Sequence, residues 1–281
     1  MEYSENDYIA GMLQRTSKFF SPEEINKVRE STFAICGMGG VGSITVELFA
    51  RWAVKRFRLL DKDKYEPSNL NRQLFATSET MGSWKVDAAA DRIRAINPFV
   101  EKIETMKVKL NNANVKEFVG GADIIIQTGD SPSCKIIYEE ARKQKVPLVT
   151  GHCYPVGAYA QVYDFRNRNC YSFVEKMYDR SKWKDQKLWE MTPEQLDAWD
   201  QKLMHAPAAT IGFITNITGC LIGTEAIKLL TGKGKVCHYP KWIDFNAFDL
   251  KFKVTNPQSV MKAANYKKLI GNRQKMSAKK K

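Results

Sequence analysis

Short apolar runs alternate with longer amphipathic stretches through the first half of this chain. Residues 32–36, 56–60, 102–108, 123–127 and 146–150 are runs of branched and aromatic residues with strand character. Between them, 41–54, 84–96, 112–119 and 132–143 repeat apolar positions at helical spacing, the last with Pro132 at its start. Strand alternating with helix predicts an α/β fold: a doubly wound, mostly parallel, Rossmann-like sheet with right-handed crossovers and flanking helices. Ahead of it, residues 5–30 read as a helical arm, because Ser21, Pro22 and Glu24 supply the cap, first-turn proline and reciprocal carboxylate of a helix start.

The second half changes character. Residues 157–165 form a strand-like run, and 167–206 are charged and aromatic, with Trp183, Trp189 and Trp199, which suits a lid or excursion over a site. Residues 208–230 are apolar and rich in small side chains, with Gly232 just past the end. Their length approaches that of a membrane span, but Glu225 and Lys228 with several Thr and Asn predict a core helix instead. Residues 241–245 and 247–254 read as a closing antiparallel extension. The chain thus divides into an arm at 1–30, a sheet domain at 31–255 and a tail at 256–281.

Candidate chemistry gathers where the predicted strands end. Gly37, Gly39, Gly40 and Gly42 follow the first strand and open the first helix, as a phosphate-binding turn does: glycines let backbone N–H groups approach phosphate oxygens beside the helix dipole. Asp61 ends the next strand, about 20 residues on, where a ribose-binding acid belongs. Those features alone suit a nicotinamide-dependent oxidoreductase or a non-catalytic nucleotide-binding scaffold equally well. The block Asn69-Leu-Asn-Arg-Gln73 and Lys85 tips the choice towards a triphosphate, because Arg72 and Lys85 put two cations near the phosphates. Asp130 stands past the fourth strand, at the sheet's carboxyl end.

Gly37-x-Gly-Gly-x-Gly42, Leu60-Asp61-x-Asp63, Ser68-Asn-Leu-Asn-Arg-Gln73, Lys85 and Asp130, in this order and spacing, resemble the ThiF/MoeB/HesA enzymes, relatives of ubiquitin-activating (E1) enzymes. The resemblance spans roughly residues 10–255. It implies an E1-like enzyme that uses ATP and magnesium to adenylate a carboxylate, giving an acyl adenylate and pyrophosphate. It further implies that Gly37, Gly39, Gly40 and Gly42 cradle the nucleotide and that Asp61 holds the ribose. Asn69, Arg72, Gln73 and Lys85 would then bind the phosphates, with Asp130 holding Mg2+. Arg15 would reach into a partner subunit's ATP site, which implies a homodimer.

Six cysteines never pair as Cys-x-x-Cys, so no structural zinc is expected, and this departs from the family members that serve sulfur carriers. The zinc-free, compact pattern resembles stand-alone members that modify ribosomally made peptides, such as the maturation enzyme of the pantocin A precursor, or the tRNA threonylcarbamoyladenosine dehydratase. A peptide or small protein whose glutamate side chain is activated is the favoured substrate, which would place the enzyme in peptide natural-product (antibiotic) maturation; tRNA is the runner-up. Eight of the +13 net charges lie in the tail, so the body is only mildly basic and offers no broad phosphate-tracking surface. No signal-like start or membrane span is read, which leads to the expectation of a cytoplasmic, reduced protein. Cys153, beside His152 and just past a predicted strand, is a candidate nucleophile, but strand neighbours face opposite ways and a small cysteine suits packing.

Overall fold

The computed structural model describes residues 3–130, 133–167, 191–192, 194–195, 198 and 209–256. The excursion at 167–206 and the basic tail therefore fall almost wholly outside the described residues, as does Pro132.

The arm forms two helices, α1 (Glu5–Leu13) and α2 (Pro22–Arg29), joined by a short 3-10 turn. Ser21 and Glu24 cap α2 reciprocally, the serine hydroxyl accepting from the Glu24 N–H at 3.2 Å and the glutamate accepting from the Ser21 N–H at 2.8 Å. The alternating core follows: β1 (Thr32–Cys36), α3 (Gly40–Arg51), β2 (Arg56–Leu60), α4 (Lys85–Ile96), β3 (Lys102–Met106), α5 (Val115–Val119), β4 (Ile124–Gln127) and α6 (Ser133–Gln144). Then come β5 (Leu148–Tyr154), β6 (Gly157–Tyr163), α7 (Gly212–Thr231), β7 (Trp242–Asn246) and β8 (Lys251–Thr255).

All eight strands join one sheet in the order β3-β2-β1-β4-β5-β6-β7-β8. The first five run parallel and the last three antiparallel. Parallel strands are covered on both faces, which is why β4 reads Ile124-Ile125-Ile126 without alternation; all three side chains are fully buried. Each such burial contributes about 1.5–3 kcal/mol. One face packs on α3, α4 and α7, through residues such as Val46, Phe49, Val86, Ile222 and Ala226. The other packs on α5 and α6, through Val115, Phe118, Ile136 and Ala141.

α7 is long and apolar enough by composition to cross a membrane, yet here it lies against α3, β5 and β6. Close approach sets its small residues: a Cβ on Gly219 would stand 2.3 Å from the Ile44 side chain. The charge in its middle is satisfied, since Glu225 accepts the Cys237 N–H at 2.6 Å and pairs with Lys228.

Boundaries shift where tertiary contacts extend or trim the local pattern. β5 runs on to Tyr154 because it pairs with β6 through the whole hairpin, so Cys153 lies inside the strand and not after it. Residues 247–250 make the turn before β8, with Leu250 at φ 52°, and 112–114 precede α5.

Candidate active site

The glycine turn is held by contacts that leave room only for hydrogen at three of its positions. Gly37 has φ +91°, and a Cβ there would stand 2.7 Å from the Gly129 backbone nitrogen; on Gly42 it would fall 1.7 Å from the Gly37 carbonyl oxygen. Gly40 abuts Thr215 of α7, 2.9 Å from where its Cβ would be. Gly39 differs. Its Cβ position meets only the Gln73 side-chain nitrogen at 3.9 Å, so this residue faces open space.

Neighbouring strand ends converge on the turn. Asp61 accepts the Met38 N–H at 2.6 Å through one carboxylate oxygen and the Asp63 N–H at 2.9 Å through the other. Burial pushes its carboxyl above the ordinary range, opposed by the Met38 N–H and by the charge of Lys85. From β4, the Thr128 hydroxyl donates to the carbonyls of Cys36 and Gly37, each at 2.9 Å. Asp130 follows directly, exposed, with its backbone carbonyl accepting from Ser133.

The 69–73 segment lies against the same turn. The Leu74 N–H bonds Ser43 at 3.0 Å, and the Thr215 hydroxyl donates to the Arg72 carbonyl at 3.3 Å. Arg72 donates through Nη1 to the Ser68 carbonyl at 2.7 Å and to Asn71 at 3.0 Å. Gln73 is 6 % exposed and its Oε1 has no hydrogen-bond partner. Asn69 instead braces the local 3-10 turn, accepting the Glu66 N–H at 3.2 Å and donating to Ser68 at 3.3 Å. Lys85, at the start of α4, is buried with its ammonium 3.3 Å from Asp63.

Of the residues singled out in the sequence, the fold thus gathers Gly37, Gly39, Gly40, Gly42, Asp61, Asn69, Arg72, Gln73, Lys85 and Asp130 at the carboxyl ends of β1, β2 and β4. Arg15 stands exposed on the arm, and none of the described contacts joins it to this cluster. Cys153 turns towards Thr210, its Sγ 3.3 Å from that hydroxyl, while His152 stacks on Tyr159 across the opposite face, so the two do not form a nucleophile–base pair. Two contributors escaped sequence reasoning: Thr128, whose hydroxyl ties β4 to the turn, and Asp63 as the partner of Lys85, for which the Asp-x-Asp spacing was the available signal.

The site fits a nucleoside triphosphate. Gly39 leaves the turn open, an unpartnered buried amide lies beside it, and two cations flank the opening. Among the described residues no three His, Cys, Asp or Glu side chains gather as a metal cage. A lone carboxylate at Asp130 suits Mg2+, which takes few protein ligands and keeps waters or phosphate oxygens.

Known proteins match this chain over different shares of their length. The chain is 27 % identical over 241 residues to the SAMP-activating enzyme E1 of Haloferax volcanii, covering 84 % of this chain and 82 % of that protein. It is 37 % identical over 129 residues to the tRNA threonylcarbamoyladenosine dehydratase of Bacillus subtilis, though this match spans 46 % of this chain and 51 % of that one. Among solved structures, E. coli MccB with ATP shares the fold, with a TM-score of 0.69 at 17 % identity over 89 % of this chain and 72 % of MccB. The ThiF family model matches residues 13–265, so the chain belongs to the ThiF family of E1-like, ATP-dependent adenylating enzymes.

Proposed function

We propose that this enzyme adenylates a carboxylate on a ribosomally made peptide, activating a glutamate side chain for cyclisation or dehydration. The observation that carries the nucleotide half is the open Gly39 position beside Gln73, next to the Met38 N–H that Asp61 accepts. In this reading the backbone N–H groups of 37–42 hold phosphate oxygens and Asp61 takes the ribose hydroxyls. Arg72 offers a planar fork and Lys85 a point charge that counters charge growing on the phosphate during displacement. Asp130 would hold Mg2+, which when bound neutralises phosphate oxygens. The acceptor's carboxylate oxygen bonds to the α-phosphorus as the bond to pyrophosphate breaks.

The peptide half rests on likeness. MccB, named as a microcin C7 biosynthetic enzyme, is seen with N-formylated MccA. The SAMP-activating relative also points to a polypeptide acceptor. A second reading, dehydration of a modified tRNA, is favoured by the higher identity to the Bacillus enzyme, 37 % over 129 residues. A homodimer with Arg15 completing the partner's site belongs to the same proposal.

Pyrophosphate exchange into ATP tests it. Exchange driven by candidate peptides and not by tRNA is expected; exchange driven only by tRNA would overturn the peptide assignment, and none with either would overturn adenylation of these acceptors.

A further inference from the structure

We propose that Asp63 is the positioning residue of Lys85: it holds the ammonium, before any nucleotide arrives, at the place from which it meets the phosphates. The proposal rests on the adenylation reading and deepens it, by naming the group that prepares one of its two cations.

Two backbone segments build the mount. Residues 63–65, just past β2, run antiparallel to 83–85, with a bridge between Lys64 and Trp84. The Lys85 N–H donates to the Asp63 carbonyl and the Tyr65 N–H to the Ser83 carbonyl, each at 3.0 Å. Asp63 and Lys85 are thus set opposite each other by main-chain bonds that no side-chain substitution removes. Alternation sorts the side chains of the first segment: Asp61 and Tyr65 bond Met38 of the glycine turn and Asp63 meets Lys85, while Lys64 lies over the Trp84 ring at 5.0 Å.

Side-chain contacts complete it. The Lys85 ammonium stands 3.3 Å from Asp63 Oδ2 and 6.0 Å from the centre of the Tyr65 ring. Tyr65 is itself buried, and its hydroxyl donates to the Met38 carbonyl at 3.4 Å. Asp61 feels the pair as well: burial raises its carboxyl, and of the two charges nearby Lys85 draws it down while Asp63 pushes it up. That coupling sets the pair beside the cradle.

Exposure divides the roles. The Lys85 side chain is 8 % exposed and that of Asp63 52 %. A buried ammonium needs a negative partner, and a half-exposed carboxylate keeps much of its hydration, so it supplies that charge at little desolvation cost. An ammonium has three donors, so the one taken by Asp63 leaves two for phosphate oxygens. Lysine's long stem loses its rotamer freedom on folding, and ATP then meets a cation already in place.

The test is a double-mutant cycle on the full-length enzyme: wild type, Asp63→Asn, Lys85→Met and the double variant, each titrated with ATP–Mg in a calorimeter. Asp63→Asn should weaken ATP roughly three- to fivefold, the size of a part-exposed ion pair, with Tm within about 2 °C of wild type. In the Lys85→Met background the same change should not weaken ATP at all, because only the repulsion between a carboxylate and the phosphates is left to remove. Pyrophosphate exchange should fall about tenfold in Asp63→Asn and return to within threefold of wild type in Asp63→Glu, which restores the charge. Unchanged ATP affinity in Asp63→Asn, or the same loss in both backgrounds, would overturn the assignment, since a residue that merely shapes the fold does not need Lys85 to act. Should wild type exchange with neither peptide nor tRNA, adenylation of these acceptors fails, and the titration cycle still decides whether Asp63 works through Lys85.

Discussion

Two glycines three residues apart, each replaced by alanine, should fail in opposite ways. Gly42→Ala forces a Cβ to within 1.7 Å of the Gly37 carbonyl oxygen and 2.8 Å of the Thr128 hydroxyl, so the start of α3 has to lift off the turn. Overpacking of this kind costs about 3 kcal/mol at the upper end of its range, and the better helix propensity of alanine returns about 1. A net loss of about 2 kcal/mol lowers Tm by about 4 °C for a sheet domain of this size. Gly39→Ala meets nothing nearer than Gln73 at 3.9 Å and keeps negative φ, so the fold should be as stable as wild type. Its methyl group instead occupies the space over the cradle, and ~1.4 kcal/mol of steric cost there weakens ATP about tenfold. Calorimetric melting and ATP titration of both variants form the assay. Wild-type Tm in Gly42→Ala, or undiminished ATP affinity in Gly39→Ala, would refute the assignment of the turn.

Lys85→Met should lower the exchange rate by roughly 10²–10³, the usual loss on removing one donor that meets developing charge, and an exchange assay at saturating ATP checks it. Cys153→Ala should keep exchange and product formation within twofold, measured side by side with wild type, because the thiol faces Thr210 while His152 stacks away on Tyr159. Glu47→Gln should show its effect in a melting series from about pH 3 to 7. Burial alone would raise the Glu47 carboxyl, but hydrogen bonds from Arg92 and Arg51 outweigh it and hold it below the ordinary 4.5. A depressed folded pKa means the stabilisation is full above 4.5 and fades as pH falls through the folded value, so wild type and variant should differ most near neutrality and converge in acid. A gap that stays constant with pH would count against the Glu47–Arg92–Arg51 cluster.

Local chemistry made the alternating core legible. The β1 and β2 ranges follow from apolar runs alone, and the α2 start from Ser21-Pro22-Glu23-Glu24, because caps and short buried strands depend on near neighbours. The places of the candidate groups were legible for the same reason: the glycine turn, Asp61, Lys85 and Asp130 follow strand ends or open helices, where ligands of a doubly wound sheet meet, whereas Arg72 lies in a turn between β2 and α4.

What the sequence by itself determined was therefore the order of elements and the set of groups placed at their ends, since both are written within a few residues. Only the tertiary structure decided that Lys85 pairs with Asp63, that Thr128 ties β4 to the turn, and that Cys153 and His152 face apart. Each of those depends on strand register or on contacts between distant segments, and a one-residue slip in register would turn every side chain to the other face.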